Sequence, residues 1–119
     1  MKDFRELKVW EKAHALTLTI YQASRKLPAE ERYGLTSQIR RAATSIATNI
    51  AEGCGRSGDT EFRRFLGIAF GSASEVEYLL LLCHDLKLIE SQTHHQLTSE
   101  TIEVKRMLSS LIQKLNADR

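Results

Sequence analysis

A single proline, Pro28, interrupts the 119 residues of this chain, and apolar residues recur every three or four positions on both sides of it. That spacing places apolar side chains along one face of a helix, whereas a half-buried strand would alternate apolar and polar residues. Only six glycines are present, too few for the many turns of an all-β fold. The hydrophobic share of 42% and the charged share of 27% are those of a soluble globular protein. The sequence therefore predicts one all-α domain covering residues 1–119.

The periodic pattern divides the chain into four helical segments, at about residues 3–26, 36–52, 59–88 and from 93 onward. The first segment ends before Pro28, because the residue that precedes a proline is displaced from helical backbone angles. Gly53 is a typical helix stop, and Asp59 is a typical capping residue for the third segment. Thr93 and Gln96 have the spacing of a capping box at the start of the fourth segment. Short connections between four helices favour an antiparallel up-and-down bundle.

The two middle segments carry few charges for helices of a monomeric bundle. Residues 36–51 and residues 65–84 contain only two charged side chains each. A bundle helix that faces solvent should show a wide polar face. We therefore expect both segments to bury a second surface against other subunits of a homo-oligomer; the alternative is a monomer whose outer helices cover the middle pair. The residues expected at this close contact are small: Thr44, Ala47, Thr48, Ala51, Gly67, Gly71 and Ser74.

The least polar stretch, residues 65–84, is long enough to span a bilayer. Glu75 and Glu77 lie within it, and charged side chains are costly at that depth. The N-terminus is charged and mixed, without the apolar run and cleavage site of a signal peptide. We expect a cytoplasmic protein that does not enter the membrane.

One sequence motif resembles a dinucleotide-binding loop. Residues 53–58, GCGRSG, match the pattern G-x-G-x-x-G letter for letter. That site needs a buried strand directly before the glycines and a helix after them. The preceding residues are helix-patterned, so we interpret the motif as a loop between two helices.

Candidate metal ligands occur as sequence neighbours, in the pairs Cys83–His84 and His94–His95. Adjacent residues on a helix point about 100° apart, which is poor geometry for chelation. No serine lies in a nucleophile elbow, and Cys54 and Cys83 are expected to be reduced thiols. The sequence predicts no metal, no cofactor, no catalytic residue and no small-molecule substrate.

Three polar residues on the middle segments, Asn49, Glu52 and Glu75, allow two interpretations. They could form a carboxylate site inside the bundle, but di-iron bundles need a Glu-x-x-His motif on each of two helices, and the two middle segments contain none. We therefore expect a buried polar network that fixes the register of the helices.

The distribution of charge points towards nucleic acid. Residues 32–64 contain six arginines and three acidic residues, a net charge of +3, whereas the whole chain has only +2. Arginine side chains beside a loop can hold phosphates with paired hydrogen bonds. The alternative is that they pair with acidic residues of neighbouring helices, and no aromatic surface for stacking bases is evident. The residues expected to contact nucleic acid are Arg40, Arg41, Arg56, Arg63 and Arg64.

Four stretches of sequence carry a family resemblance: FRELKVW at residues 4–10, YGLTSQIRRAA at 33–43, SIATNIAEG at 45–53, and residues 61–75. Together they resemble the bacterial four-helix-bundle proteins whose first members were encoded in intervening sequences of 23S rRNA genes. The resemblance implies a cytosolic homo-oligomer, a pentameric ring, without catalytic activity. A related branch, the accessory protein of diversity-generating retroelements, is a basic barrel that binds nucleic acid and a reverse transcriptase. The present chain is nearly balanced in charge, which argues against that partnership.

These observations predict a non-enzymatic protein that binds RNA weakly or associates with ribosomal RNA. The alternative is an assembly scaffold that binds another protein and no nucleic acid. The two hypotheses differ in whether the five arginines are free or are used in contacts between helices.

Overall fold

The computed structural model describes residues 2–117, which form four helices and contain no strand. The helices are α1 (Lys8–Ser24), α2 (Leu35–Cys54), α3 (Gly58–Asp85) and α4 (Ser91–Ala117). Short 3-10 turns precede α1 and α2, at Phe4–Glu6 and Ala29–Glu31. The prediction of an all-α fold with four helices is confirmed.

The helices pack around a square, each against its two neighbours. Helix α4 completes the square by packing against α1, and within residues 2–117 no Cα atoms of the diagonal pairs α1–α3 or α2–α4 lie within 8 Å of each other. Ser24, the last residue of α1, contacts Arg40 in the first half of α2. Arg63 in the second turn of α3 contacts Asn116 near the end of α4. Consecutive helices are therefore antiparallel, in an up-and-down bundle of 46 × 22 × 19 Å.

The core lies along the axis of the bundle and consists of aliphatic side chains from all four helices, as burial of apolar surface requires. The largest completely buried aliphatic side chains are Leu16, Ile20, Ile46, Ile50, Leu66, Val76, Leu80, Val104 and Leu108. Helix α3 is long and apolar enough to cross a membrane, and no other helix within residues 2–117 is. Its apolar side chains, from Phe62 to Cys83, contribute to this core along most of the helix.

Gly53 lies inside α2 and is buried against α3. A Cβ atom at this position would lie 2.9 Å from Cβ of Phe65 and 3.1 Å from Cδ1 of Phe62. The interpretation of Gly53 as a helix stop is wrong, because α2 continues through it to Cys54. Its lack of a side chain instead lets the two helices approach each other closely.

Helix α1 begins at Lys8, five residues later than predicted, because Phe4–Glu6 forms a separate 3-10 turn. The remaining predicted ends differ from the structure by one to three residues. Helix α3 begins at Gly58, which has φ +79°, so Asp59 lies in the first turn and is not the cap. Helix α4 begins at Ser91, two residues before Thr93. Gln96 does not close a capping box, because its Nε2 donates to Oε2 of Glu100 at 3.1 Å.

Helix α3 ends three residues earlier than predicted, in a Schellman motif. The backbone N–H of Leu88 donates to the carbonyl of Cys83, and that of Lys87 to the carbonyl of His84, both at 2.9 Å. Lys87 has φ 62° and so occupies the left-handed position that glycine usually fills. With a lysine there, the sequence shows no sign that the helix stops.

Cys54 and Cys83 are both free and buried. Burial raises the pKa of each thiol above its usual value. Both side chains are therefore protonated at neutral pH and pack as small apolar groups.

We predict that Gly53→Ala destabilises the bundle by about 1–3 kcal/mol, because the new methyl group overlaps Phe65. This loss should occur although alanine has the higher helix propensity. Urea unfolding monitored by circular dichroism measures it. Gly55→Ala is the matched control, since its Cβ would have no neighbour closer than 3.5 Å. Equal stability of the two variants would contradict the close approach at Gly53.

Candidate nucleic-acid interface

The five predicted arginines do not form a single cluster. Arg40 and Arg41 lie in the first half of α2, whereas Arg56 lies in the loop after α2 and Arg63 and Arg64 lie in the second turn of α3. Arg41 and Arg56 are 15 positions apart, which corresponds to roughly 22 Å along a helix. The basic span therefore provides cations at two places on the bundle.

Arg40 joins α2 to α1. Its Nε donates to Oγ of Ser24 at 2.7 Å, and its Nη2 donates to the carbonyl of Tyr21 at 3.3 Å. The guanidinium also lies 4.8 Å from the centre of the Tyr21 ring. Because Ser24 is buried, this contact satisfies a polar group inside the bundle. Arg40 is used by the fold and is not a free phosphate contact.

Arg63 joins α3 to α4. Its Nη1 donates to Oδ1 of Asn116, and its Nη2 donates to Oγ1 of Thr60 at 3.2 Å. The Nε atom reaches the carbonyl of Asp59 at 3.4 Å. This half-buried side chain is also committed to contacts within the subunit.

Arg56 and Arg64 both lie close to one aromatic ring, that of Phe65. Their guanidinium carbons are 5.1 and 4.5 Å from the centre of the Phe65 ring. Arg56 pairs with Glu52, and Arg64 pairs with Glu61, each at 3.0 Å. The hydrogen bond from Arg64 lowers the pKa of the Glu61 carboxyl below its ordinary value. Both ion pairs are solvent-exposed, so salt screens them and they contribute little to stability.

Arg41 is exposed and makes no hydrogen bond or ion pair with the residues that the structure describes. None of the five arginines joins two helices through a salt bridge within residues 2–117. Three of them, Arg41, Arg56 and Arg64, therefore present guanidinium groups that the packing of the subunit does not use.

A groove lies between α2 and the N-terminal part of the chain, with a volume of about 850 Å³. We call it the α1–α2 groove. Its wall contains Phe4, Trp10 and His14, and the rings of Trp10 and His14 are parallel with their centres 4.9 Å apart. Arg56 lines the same groove. The sequence did not predict that these rings line one groove. The i, i+4 spacing of Trp10 and His14 was the available signal.

The small residues predicted for close packing divide into two surfaces. Those of α2 line the α1–α2 groove: Thr44, Ala47, Thr48 and Ala51. Those of α3, Gly67, Gly71 and Ser74, lie with the exposed Ile68 and Tyr78 on a surface that we call the α3 stripe. A Cβ at Gly67 or Gly71 would have no neighbour within 4 Å. These two glycines therefore do not serve packing within the subunit.

The predicted polar network of Asn49, Glu52 and Glu75 is not buried in the subunit, because both carboxylates are exposed. Asn49 Nδ2 instead donates to the carbonyl and to Oγ of Ser45, at 2.8 and 3.0 Å. Oγ of Ser45 lies 2.8 Å from Oγ of Ser72 on α3. Hydroxyl groups, and no carboxylate, make the polar link between the middle helices.

No group of three or more histidine, cysteine or acidic side chains within residues 2–117 is placed to hold a metal ion. His84 and His94, from the two predicted pairs, come together at the α3–α4 connection. Their rings stack with centres 4.4 Å apart and do not converge on a common point.

Comparison with known proteins agrees with the fold. The model of a protein family described as 23S rRNA-intervening sequence protein matches residues 5–110. Among solved structures, a protein with unknown function from the S23 ribosomal protein family of Bacteroides thetaiotaomicron shares 28% sequence identity, with a TM-score of 0.82. That alignment covers 87% of this chain and 97% of the other. No curated protein matches the chain.

We predict that Arg40→Ala and Arg41→Ala differ in their consequences for stability. Arg40→Ala removes the link to Ser24 and Tyr21 and should cost about 1–2 kcal/mol. Arg41→Ala removes an exposed side chain and should change stability by less than about 0.5 kcal/mol. Thermal and urea unfolding of both variants measure the difference. Equal stabilities would show that the α1–α2 contact of Arg40 contributes nothing.

Proposed function

The chain belongs to the family of 23S rRNA-intervening sequence proteins, and on that premise we propose that it is a non-enzymatic homo-oligomer that binds RNA weakly. Arg41 and Arg64 are the proposed phosphate contacts, whereas Arg56 lines the α1–α2 groove that the proposed assembly fills. The observation that carries the proposal is that the guanidinium groups of Arg41 and Arg64 are exposed and are not needed for the packing of the subunit.

Phosphate is a suitable ligand for these side chains. A guanidinium can donate two parallel hydrogen bonds to a phosphate, and the carboxylate partner of Arg64 is held only by an exposed ion pair. Glu61 would compete with the phosphate, which makes the expected affinity low and sensitive to salt. Repetition of the arginines in an oligomer would raise the overall affinity without any new contact.

The proposed assembly uses two different surfaces of the subunit. The α3 stripe presents the exposed Tyr78 and Ile68 beside two glycines. The α1–α2 groove presents small side chains beneath an aromatic wall. The stripe of one subunit is proposed to pack into the groove of the next, which makes the contact head-to-tail. Such a contact gives a ring where the rotation between neighbours closes and an open filament where it does not. A pentamer is the proposed size of this ring.

We predict that Arg41→Glu/Arg64→Glu weakens binding to a fluorescein-labelled structured RNA at least tenfold. The slope of log affinity against log salt should also become shallower, by about 0.7–0.9 for each phosphate that the variant no longer neutralises. Fluorescence anisotropy across a salt series, with single-stranded and duplex DNA beside the RNA, measures both effects.

The control for the RNA experiment is Arg25→Glu/Lys26→Glu, which makes the same change of charge on exposed residues outside the basic span. An equal loss of affinity in the control would mean that only net charge matters. Absence of RNA binding at low salt by an intact oligomer would refute the function. The search would then turn to protein partners.

We predict that Gly71→Leu lowers the native mass of the protein, because leucine would enter the proposed contact between subunits. The helical content should stay unchanged, since a side chain at Gly71 meets nothing within its own subunit. Light scattering and circular dichroism measure the two quantities. Gln22→Leu, which adds a leucine at an exposed position of α1, is the control. An unchanged native mass of the Gly71 variant, or a monomeric wild type, would contradict the assembly.

A further inference from the structure

A continuous cleft runs along the seam between α1 and α4. One part, of about 490 Å³, lies between the start of α1 and the second half of α4. The other, of about 760 Å³, lies further along the same two helices. Glu103 and Arg106 line both parts, which makes them one surface. We call it the α1–α4 cleft. From His95 to Lys114 it follows α4 for about 28 Å.

The narrower part of the α1–α4 cleft has an aliphatic floor, whereas the wider part is lined mostly by polar side chains. Leu7, Met107 and Leu111 are half-buried and line its narrower part with Val9. Ile102 in the wider part is 38% exposed. These side chains can accept apolar groups from a partner but offer no aromatic ring on which a base could stack.

The rim of the α1–α4 cleft is basic. Four cationic side chains line it, against two carboxylates: Lys8, Lys12, Arg106 and Lys114 against Glu100 and Glu103. Both carboxylates are already engaged, since Glu103 accepts from Arg106 at 2.7 Å and Glu100 accepts from Gln96 at 3.1 Å. The three lysines form no ion pair with any residue in the described part of the chain. The uncompensated charge of the cleft is therefore positive.

We propose that the α1–α4 cleft binds an acidic amphipathic helix of a partner protein. The cleft is about 28 Å long and accommodates roughly 19 helical residues. Apolar side chains of the partner at i, i+3, i+4 and i+7 enter the aliphatic floor of the narrower part. Acidic residues beside that apolar stripe meet the lysines on the rim. The cleft shares no residue with the α1–α2 groove or the α3 stripe, so it stays open in the proposed ring.

The test uses a fluorescein-labelled peptide of about 19 residues, with leucines at helical spacing and glutamates on the flanking positions. Two control peptides are used. The first has the same leucines at scrambled positions, and the second has lysines in place of the glutamates. Anisotropy should show the acidic amphipathic peptide binding at least tenfold more tightly than either. Methyl NMR of the intact protein should show its largest shifts at Met107 and Leu111. Equal binding of the scrambled peptide would overturn the proposal.

The variant Lys8→Glu/Lys114→Glu should weaken peptide binding at least tenfold and leave the RNA affinity and the native mass unchanged. Both residues are exposed, so the fold tolerates the change. Arg25→Glu/Lys26→Glu is again the control for net charge. Loss of RNA binding would identify the cleft as a nucleic-acid surface, and a lower native mass would identify it as a contact between subunits. Either result would overturn the proposal and leave the arginine experiment unaffected.

Discussion

At Gly53 the backbone of α2 lies so close to α3 that a single Cβ would overlap Phe65. Further along the same pair, the hydroxyl groups of Ser45 and Ser72 meet at 2.8 Å. These two contacts set the distance and the register of the middle helices. The positions of Arg56 and Arg64 depend on the same packing, because both guanidinium groups lie over the Phe65 ring.

Packing between helices also divides the arginines by role. Arg40 and Arg63 are tied to α1 and α4 through neutral partners, a serine hydroxyl and an asparagine amide oxygen. The question of free or paired arginines thus has a mixed answer, since two are structural and three are exposed. The RNA-binding and scaffold hypotheses therefore concern different surfaces. The RNA-binding hypothesis uses the exposed arginines of α2 and α3, and the scaffold hypothesis uses the lysine-rimmed cleft between α1 and α4.

The number and type of the helices could be predicted because periodic apolar residues are a local property of the sequence. The helix ends could not, since they depend on particular tertiary contacts. Gly53 continues α2 because it packs on α3, and Lys87 ends α3 in a backbone conformation that lysine rarely adopts. The exposure of the Glu52 and Glu75 carboxylates also depends on tertiary packing. The polar contact between α2 and α3 is made by the hydroxyl groups of Ser45 and Ser72 and not by these carboxylates.

By itself the sequence determined the fold class and the basic span of the chain, because these follow from spacing and composition along neighbouring residues. The family followed from the resemblance of whole stretches of sequence and from the match of the family model. Only the tertiary structure decided which arginines remain exposed, which polar groups join the helices and where grooves form. Those properties depend on residues distant in sequence, such as Arg63 and Asn116, which are 53 positions apart. Whether two such residues meet depends on the register and rotation of whole helices, and no local pattern encodes either quantity.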